Sequence, residues 1–344
     1  MINTARIASL DYAKGILALC IMFYHYTLWM NISPDLSQPL TRISVYGVSA
    51  FFVISGLTNY LAHAETINLK PKVLYAFYKK RFLRIMSLYW VIITLMIFIN
   101  FKKQYNWEDL FLNYTSLFGF LKPSHYIATG GWFIGNIMVY YAFFPFIVYL
   151  LHTRKKLFII LLVTSLSWCM YASFFLMTNQ KALSEQWEIY INPFTNLFFF
   201  IGGIFIATLK PYQNIINPRF LCAGIITIIF LFFFIPLNGN PIHCIYGSFR
   251  LVYILLTVSF CTLLYLLNFR LKASYHKLLL FLHRISYSIY LWHPVTFILI
   301  SGVNKITRLN LSINTVLSIA LICTIPLCYL SAKFIESRFS RFNE

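Results

Sequence analysis

The chain has 344 residues, 60% hydrophobic, 19% aromatic and only 11% charged, with a formal net charge of +19. An ordinary soluble domain is about a quarter charged, so the composition excludes a soluble globular fold. The positive charge does not point to nucleic acid either, because the basic residues sit in short loops between apolar runs.

Ten apolar runs follow one another along the chain: Ala8 to Met30, Ser44 to Ala62, Leu83 to Phe101, Trp132 to Leu151, Leu157 to Met177, Ile191 to Leu209, Phe220 to Leu237, Ile245 to Asn268, Ile285 to Val303 and Leu311 to Lys333. Each is about 20 residues long, enough to cross a hydrocarbon core of roughly 30 Å as a helix. Helices satisfy their own backbone in lipid. The expectation is an all-α, polytopic bundle of about ten transmembrane helices, forming one domain over residues 1–344 with no separate soluble part. The first run is too long for a removable signal, carries Asp11 and Lys14, and is followed by no small-residue cleavage site.

Six of the seven cysteines, Cys20, Cys169, Cys222, Cys261, Cys323 and Cys328, fall inside predicted spans, and no C-x-x-C pair occurs. That pattern is neither a disulfide nor a zinc framework, and no bound metal or cofactor is expected.

Basic residues set the expected orientation. With the N-terminus cytoplasmic, roughly 19 Lys and Arg fall in inside segments and about 8 outside. Both termini are then cytoplasmic. The segment from His63 to Leu83, with Lys70, Lys72, Lys79, Lys80 and Arg81, is the most basic loop and faces inward.

Polar residues within the runs need a reason, since an ionisable group at the bilayer centre costs at least about 2.5 kcal/mol. Asp11, Lys14 and His25 share one face of the first helix, with Lys14 and His25 about 20° out of register and about 16 Å apart along the axis. Lys14 would lie toward the cytoplasmic end and His25 toward the outer end, as if serving two ends of one ligand. Asp11 and Lys14 also fit interfacial residues that snorkel. His25, between Tyr24 and Tyr26, fits either an aromatic-belt neighbour or a general base, since neutral imidazole takes a hydroxyl proton near neutral pH.

In the ninth run Ser286, Tyr290 and His293 fall at i, i+4 and i+7, one stripe that either glues helices together or lines a cavity. Pro294 removes a backbone bond just beyond. Arg81 and Arg84, three apart, either signal topology or grip two phosphate oxygens. Gly130-Gly131-Trp132 gives a turn and an aromatic that suits an interface anchor or sugar stacking.

Taken in order, these residues resemble the acyltransferase-3 family of bacterial membrane proteins. The resemblance rests on Ser9-Leu10-Asp11-Tyr12-Ala13-Lys14-Gly15 ending at His25, on Gly47-Val48-Ser49-Ala50-Phe51-Phe52-Val53-Ile54-Ser55-Gly56, and on Arg81-x-x-Arg84. It continues through Trp132-Phe133-Ile134 with Tyr141 and Pro145, then Ile285-Ser286-Tyr287-Ser288-Ile289-Tyr290-Leu291-Trp292-His293-Pro294, then Phe334-Ile335-Glu336-Ser337-Arg338-Phe339. It covers nearly the whole chain.

The resemblance implies an O-acyltransferase of the bacterial cytoplasmic membrane. An acyl group, usually acetyl, would pass from cytoplasmic acetyl-CoA or another acyl-CoA to a sugar hydroxyl of an extracytoplasmic polysaccharide or lipid-linked glycan, such as O-antigen, capsule or exopolysaccharide. It assigns an essential role to His25 and donor-side roles to Lys14, Arg81 and Arg84. On this reading Asp11 and Lys14 join His25 in catalysis, and Trp132, Tyr141, Ser286, Tyr290 and His293 orient acceptor or oxyanion. The outer loop from Lys102 to Gly131 would gate the acceptor.

Two departures stand out. Many members have Arg where this chain has Lys14, and Lys is a point charge rather than a bidentate fork. Many also have Glu five or six residues after the tryptophan, where this chain has Ile137 and Met138. Rival classes are a transporter or flippase for a glycolipid or small acyl metabolite, against which weighs the absence of matched broken helices in two halves, and a sensor or scaffold with a degenerate site.

Overall fold

The computed structural model describes residues 7–30, 32–100, 103–213 and 215–340, with side chains through 338. Phe101 and Lys102, which end one expected run and begin the expected gate loop, lie outside the described residues, as does the side chain of Phe339. Fifteen α-helices are present among the described residues and no strand. In chain order they are α1 (Ala8–Trp29), α2 (Pro39–His63), α3 (Pro71–Ile99), α4 (Trp107–Thr115), α5 (Phe118–Leu121), α6 (Gly131–Thr153), α7 (Lys155–Tyr171), α8 (Trp187–Ile191) and α9 (Pro193–Ala207). There follow α10 (Pro218–Phe234), α11 (Ile242–Ile245), α12 (Gly247–Leu267), α13 (Ala273–Thr307), α14 (Ile313–Ser331) and α15 (Ser337–Ser340).

All ten apolar runs fall on long helices, whose ends follow local chemistry. Pro39, Pro71, Pro193 and Pro218 open α2, α3, α9 and α10, where the missing N–H costs nothing. Asn268 and Arg308 close α12 and α13 in the left-handed conformation. Six helices are long and apolar enough to cross a membrane, and α8 with α9, bent by 56°, would add a seventh. The chain is thus a multi-pass membrane protein. Neither α1, with Asp11, Lys14 and His25, nor α13, with His283, Arg284 and His293, is among the six.

These two helices run parallel. Gly15 lies against Leu282 and His283 at one end, and Tyr26 against Thr296 at the other. In a chain that threads back and forth, parallel spans are separated by an odd number of crossings. Seven long helices, α2, α3, α6, α7, α9, α10 and α12, lie between α1 and α13. Helix α1 is flanked by α13 and α2, and α2 packs in turn on α9. There the backbones touch: a Cβ on Gly56 would meet the Phe200 carbonyl oxygen at 2.0 Å, and one on Gly203 the Val53 carbonyl oxygen at 2.0 Å. Small residues at a crossing allow this approach in lipid, where packing rather than water exclusion drives association.

The bundle has a basic face, where α3, α7 and α13 begin, and a far face, where α1 and α10 end and α12 begins. Not every buried charge belongs to a site. Arg42 donates to the carbonyls of Leu36, Phe232, Phe233, Ile235 and Leu237 at 2.5–3.2 Å, closing the end of α10 and the loop beyond it. Such carbonyls otherwise lack partners.

Candidate active site

Helix α1 carries His25 to the far half of the bundle, and α13 brings His293 beside it. His25 Nδ1 lies 2.9 Å from His293 Nε2, with ring centroids 5.0 Å apart and ring planes 7° apart. His293 Nδ1 lies 2.8 Å from the carbonyl oxygen of Ile289, one turn back. That oxygen can only accept, so His293 Nδ1 carries the hydrogen. In a neutral His293, Nε2 is then an acceptor, and the proton in the bond between the rings belongs to His25 Nδ1. This leaves the lone pair of a neutral His25 on Nε2, which makes no hydrogen bond among the described residues. An imidazole whose far nitrogen is held by an orienting partner is poised as a general base or nucleophile on the other.

The surroundings fix that pair. Trp29, one turn after His25, stacks on it at 5.3 Å and on His293 at 5.7 Å. Behind them Tyr26, Thr296 and Thr324 share a buried hydroxyl cluster with oxygens 2.7–3.2 Å apart, joining α1, α13 and α14. His293 is buried, while His25 is half-buried.

The other residues of the expected stripe are committed elsewhere. Ser286 donates to the His283 carbonyl of its own helix at 2.8 Å. Tyr290 donates to the Gly130 carbonyl at 2.6 Å, and Gly130 sits at φ +82° with a Cβ position only 2.8 Å from the Tyr290 hydroxyl. Tyr290 therefore pins the turn that starts α6. Trp132 is only 6% exposed, edge-on to Phe52 and Trp187, so it is core and not an open platform for a sugar. The expected gate segment holds α4 and α5 and is tethered: buried Asn113 accepts from Tyr89 and the Ile127 N–H, and donates to the carbonyls of Asp109 and His125.

Toward the basic face α1 places the Asp11 carboxylate 3.2 Å from His283 Nε2, with Lys14 one turn on and half-buried. The two arginines of α3 divide. Arg81 is buried, its guanidinium lies over the rings of Phe77 and Tyr141 at 5.8 and 5.6 Å, and it donates to His63 Nε2. Arg81 Nε has no partner among the described residues, and an orphaned buried donor costs about 1–3 kcal/mol. Arg84 is exposed and within electrostatic reach of Glu336, which accepts from Ser288. Tyr141, expected among the acceptor or oxyanion residues, thus lies beside the basic cluster. A crevice of about 540 Å³ also opens on this face, with Lys155, Lys210, His152 and Glu65 in its walls.

Several partners are not evident from sequence. Trp29 is signalled only by its i+4 spacing from His25, and Thr296 by its i+3 spacing from His293. His63 and His283 gave no signal, because their partners are distant in the chain. Among the described residues no three His, Cys, Asp or Glu side chains gather as a metal site would require.

A family model described as an acyltransferase domain matches residues 7–333. No curated protein and no solved structure matches the chain.

Proposed function

Because the chain belongs to the acyltransferase-3 family and is therefore a membrane acyltransferase, we propose that it moves an acetyl group from cytoplasmic acetyl-CoA to a sugar hydroxyl of an extracytoplasmic polysaccharide or lipid-linked glycan. The observation that carries this reading is the His25–His293 pair, with the basic Nε2 of His25 left for substrate. In this reading the membrane is the bacterial cytoplasmic membrane, the basic face and both termini are cytoplasmic, and the far face meets the acceptor.

The donor phosphates sit at the basic face, where Arg81 with its unpartnered Nε, Arg84 and Lys14 supply positive charge. The thioester arm runs along α1 toward His25. His25 Nε2 takes the proton of the sugar hydroxyl as its oxygen attacks the thioester carbonyl. The carbon–sulfur bond then breaks, and the departing thiolate receives that proton, so an ester and a free thiol result with no other reactant. A two-step route through acyl-imidazole uses the same nitrogen. In either route His293 is a positioning residue: it holds the ring and tautomer of His25, work that the carboxylate missing at Ile137 and Met138 does not do here.

The test uses the purified full chain in nanodiscs with labelled acetyl-CoA and de-O-acetylated surface polysaccharide from the source cell. Label should appear as alkali-labile ester on the polysaccharide and disappear in His25→Ala. Undiminished transfer by His25→Ala would remove the pair from the mechanism.

A further inference from the structure

Besides the site around His25, the far face carries a groove of about 510 Å³ lined by Phe174, Asn179, Asn238, His243, Tyr246 and Phe249, among others. We propose that this groove is a second carbohydrate subsite, which holds a neutral, non-reacting sugar of the acceptor glycan.

The lining chemistry carries the argument. No Asp, Glu, Lys or Arg lines the groove, whereas the crevice on the basic face has Lys155, Lys210 and Glu65 in its walls. A groove lined by no permanently charged side chain is not built to select an anionic nucleotide or an acidic sugar. What it offers is aromatic surface, Phe174 at 45% and Phe249 at 39% exposure, beside two exposed asparagines. Each amide supplies both donors and an acceptor, the combination that a ring bearing several hydroxyls requires, while the aromatic faces cover its C–H surface.

Position supports the same ligand. Asn179 and Asn238 lie on non-helical segments, and such backbone is not exposed to hydrocarbon, so the groove opens at the polar boundary and not into lipid tails. Its walls are preformed. Ser173 donates to the Ile245 carbonyl at 2.7 Å, and Asn240 accepts from the N–H groups of Leu183 and Ile242 at 3.1 and 3.0 Å. The loop that follows α1 is tied to the same segment: Leu36 N–H donates to the Gly239 carbonyl at 2.9 Å, and Gly239 N–H to Asp35 at 3.1 Å. One hydrogen-bonded loop layer therefore joins the groove to the end of the helix that bears His25. A polymer lying across this face would engage both.

The subsite rests on the acceptor being a carbohydrate, and the experiment separates the two ideas. The full chain in nanodiscs is assayed for binding of de-O-acetylated polysaccharide from the source cell, and for acetyl transfer to it. Phe249→Ala, Asn238→Ala and, as a third variant, Asn179→Ala are compared with wild type, and unchanged melting temperature and size-exclusion behaviour show which are folded. The expected result is about tenfold weaker polysaccharide binding and a matching rise in KM with kcat unchanged, while His25→Ala binds like wild type. Loss of binding in the groove variants without any transfer by wild type would sink the acyl-transfer reading and leave the subsite. Wild-type binding and KM in every folded groove variant, or no polysaccharide binding by wild type, would overturn the subsite. So would a phospholipid that copurifies with wild type and is lost from Phe249→Ala while polysaccharide binding is unchanged, which would assign the groove to a lipid headgroup.

Discussion

His25 Nδ1 and His293 Nε2 are 2.9 Å apart, on helices that meet although their residues are 268 positions apart in the chain. The Ile289 carbonyl fixes the direction of that hydrogen bond, and with it which nitrogen of a neutral His25, Nε2, keeps its lone pair.

Removing either member should therefore act on one function. His25→Ala is expected to abolish transfer, and His293→Ala to lower kcat by about 10²–10⁴-fold with little change in KM, the scale of general-base catalysis. The double variant should be no worse than His25→Ala, because residues acting as a unit are non-additive. Steady-state kinetics of all three, beside His293→Gln, decide it. A KM effect alone from His293→Ala would make His293 a binding residue instead.

Much of the fold was legible because lipid leaves few options: each of the ten apolar runs lies on a helix, although only six, or seven with the bent pair, are long and apolar enough to count as spans. The site was only half legible. His25 and His293 were visible as imidazoles in apolar runs, but their pairing was not, since helical periodicity ranks residues within a helix and says nothing about which helix lies opposite. The stripe of Ser286, Tyr290 and His293 shows the difficulty. One face of α13 spreads over three environments, so equal spacing did not mean equal role. Trp132 shows the same limit: sequence marks an aromatic at a helix start but not whether its face is open, and Phe52 and Trp187 cover this one.

On the basic face, Arg81 is held by the Nε2 of His63. On the proposed donor site, His63→Ala should free the guanidinium to wander between Phe77 and Tyr141, raising KM for acetyl-CoA about tenfold with kcat retained. Arg81→Lys should do the same or worse, because a lysine cannot use a planar fork. Both effects should shrink as salt rises, since salt weakens the attraction that the intact site exploits. Titration of acetyl-CoA at low and high ionic strength checks this. A kcat loss with unchanged KM would detach Arg81 from the donor.

The crossing of α2 and α9 admits no side chain. Gly203→Val places carbon where the Val53 carbonyl oxygen stands 2.0 Å away, and Gly56→Val does the same against Phe200. Each helix would have to back off along its length, and the protein is expected to be lost to aggregation or to melt at least several degrees lower in detergent. By contrast Gly202→Ala, with nothing within 4 Å of its Cβ position, should leave the melting temperature unchanged. Equal stability of Gly202→Ala and Gly203→Val would mean that the two helices do not meet here.

Asp35 gives the loop layer on the far face a pH dependence. Its carboxylate accepts from the Ser37 backbone at 2.7 Å and from the Gly239 N–H at 3.1 Å, and bonding to Ser37, first through its hydroxyl and then its N–H, holds the carboxyl below the usual carboxylate range. A group whose folded value is depressed stabilises the fold above its unfolded value, about 3.9, and loses that contribution as pH falls through the lower folded value. Protection of the 235–246 segment from hydrogen exchange, corrected for intrinsic rate, should thus be flat from neutral pH down to about 5 and drop below about 4. Asp35→Asn keeps one acceptor oxygen and cannot bind Ser37 and Gly239 through separate oxygens. It should show reduced protection at every pH and no acid step. An acid step of equal size in that variant would place the titrating group elsewhere.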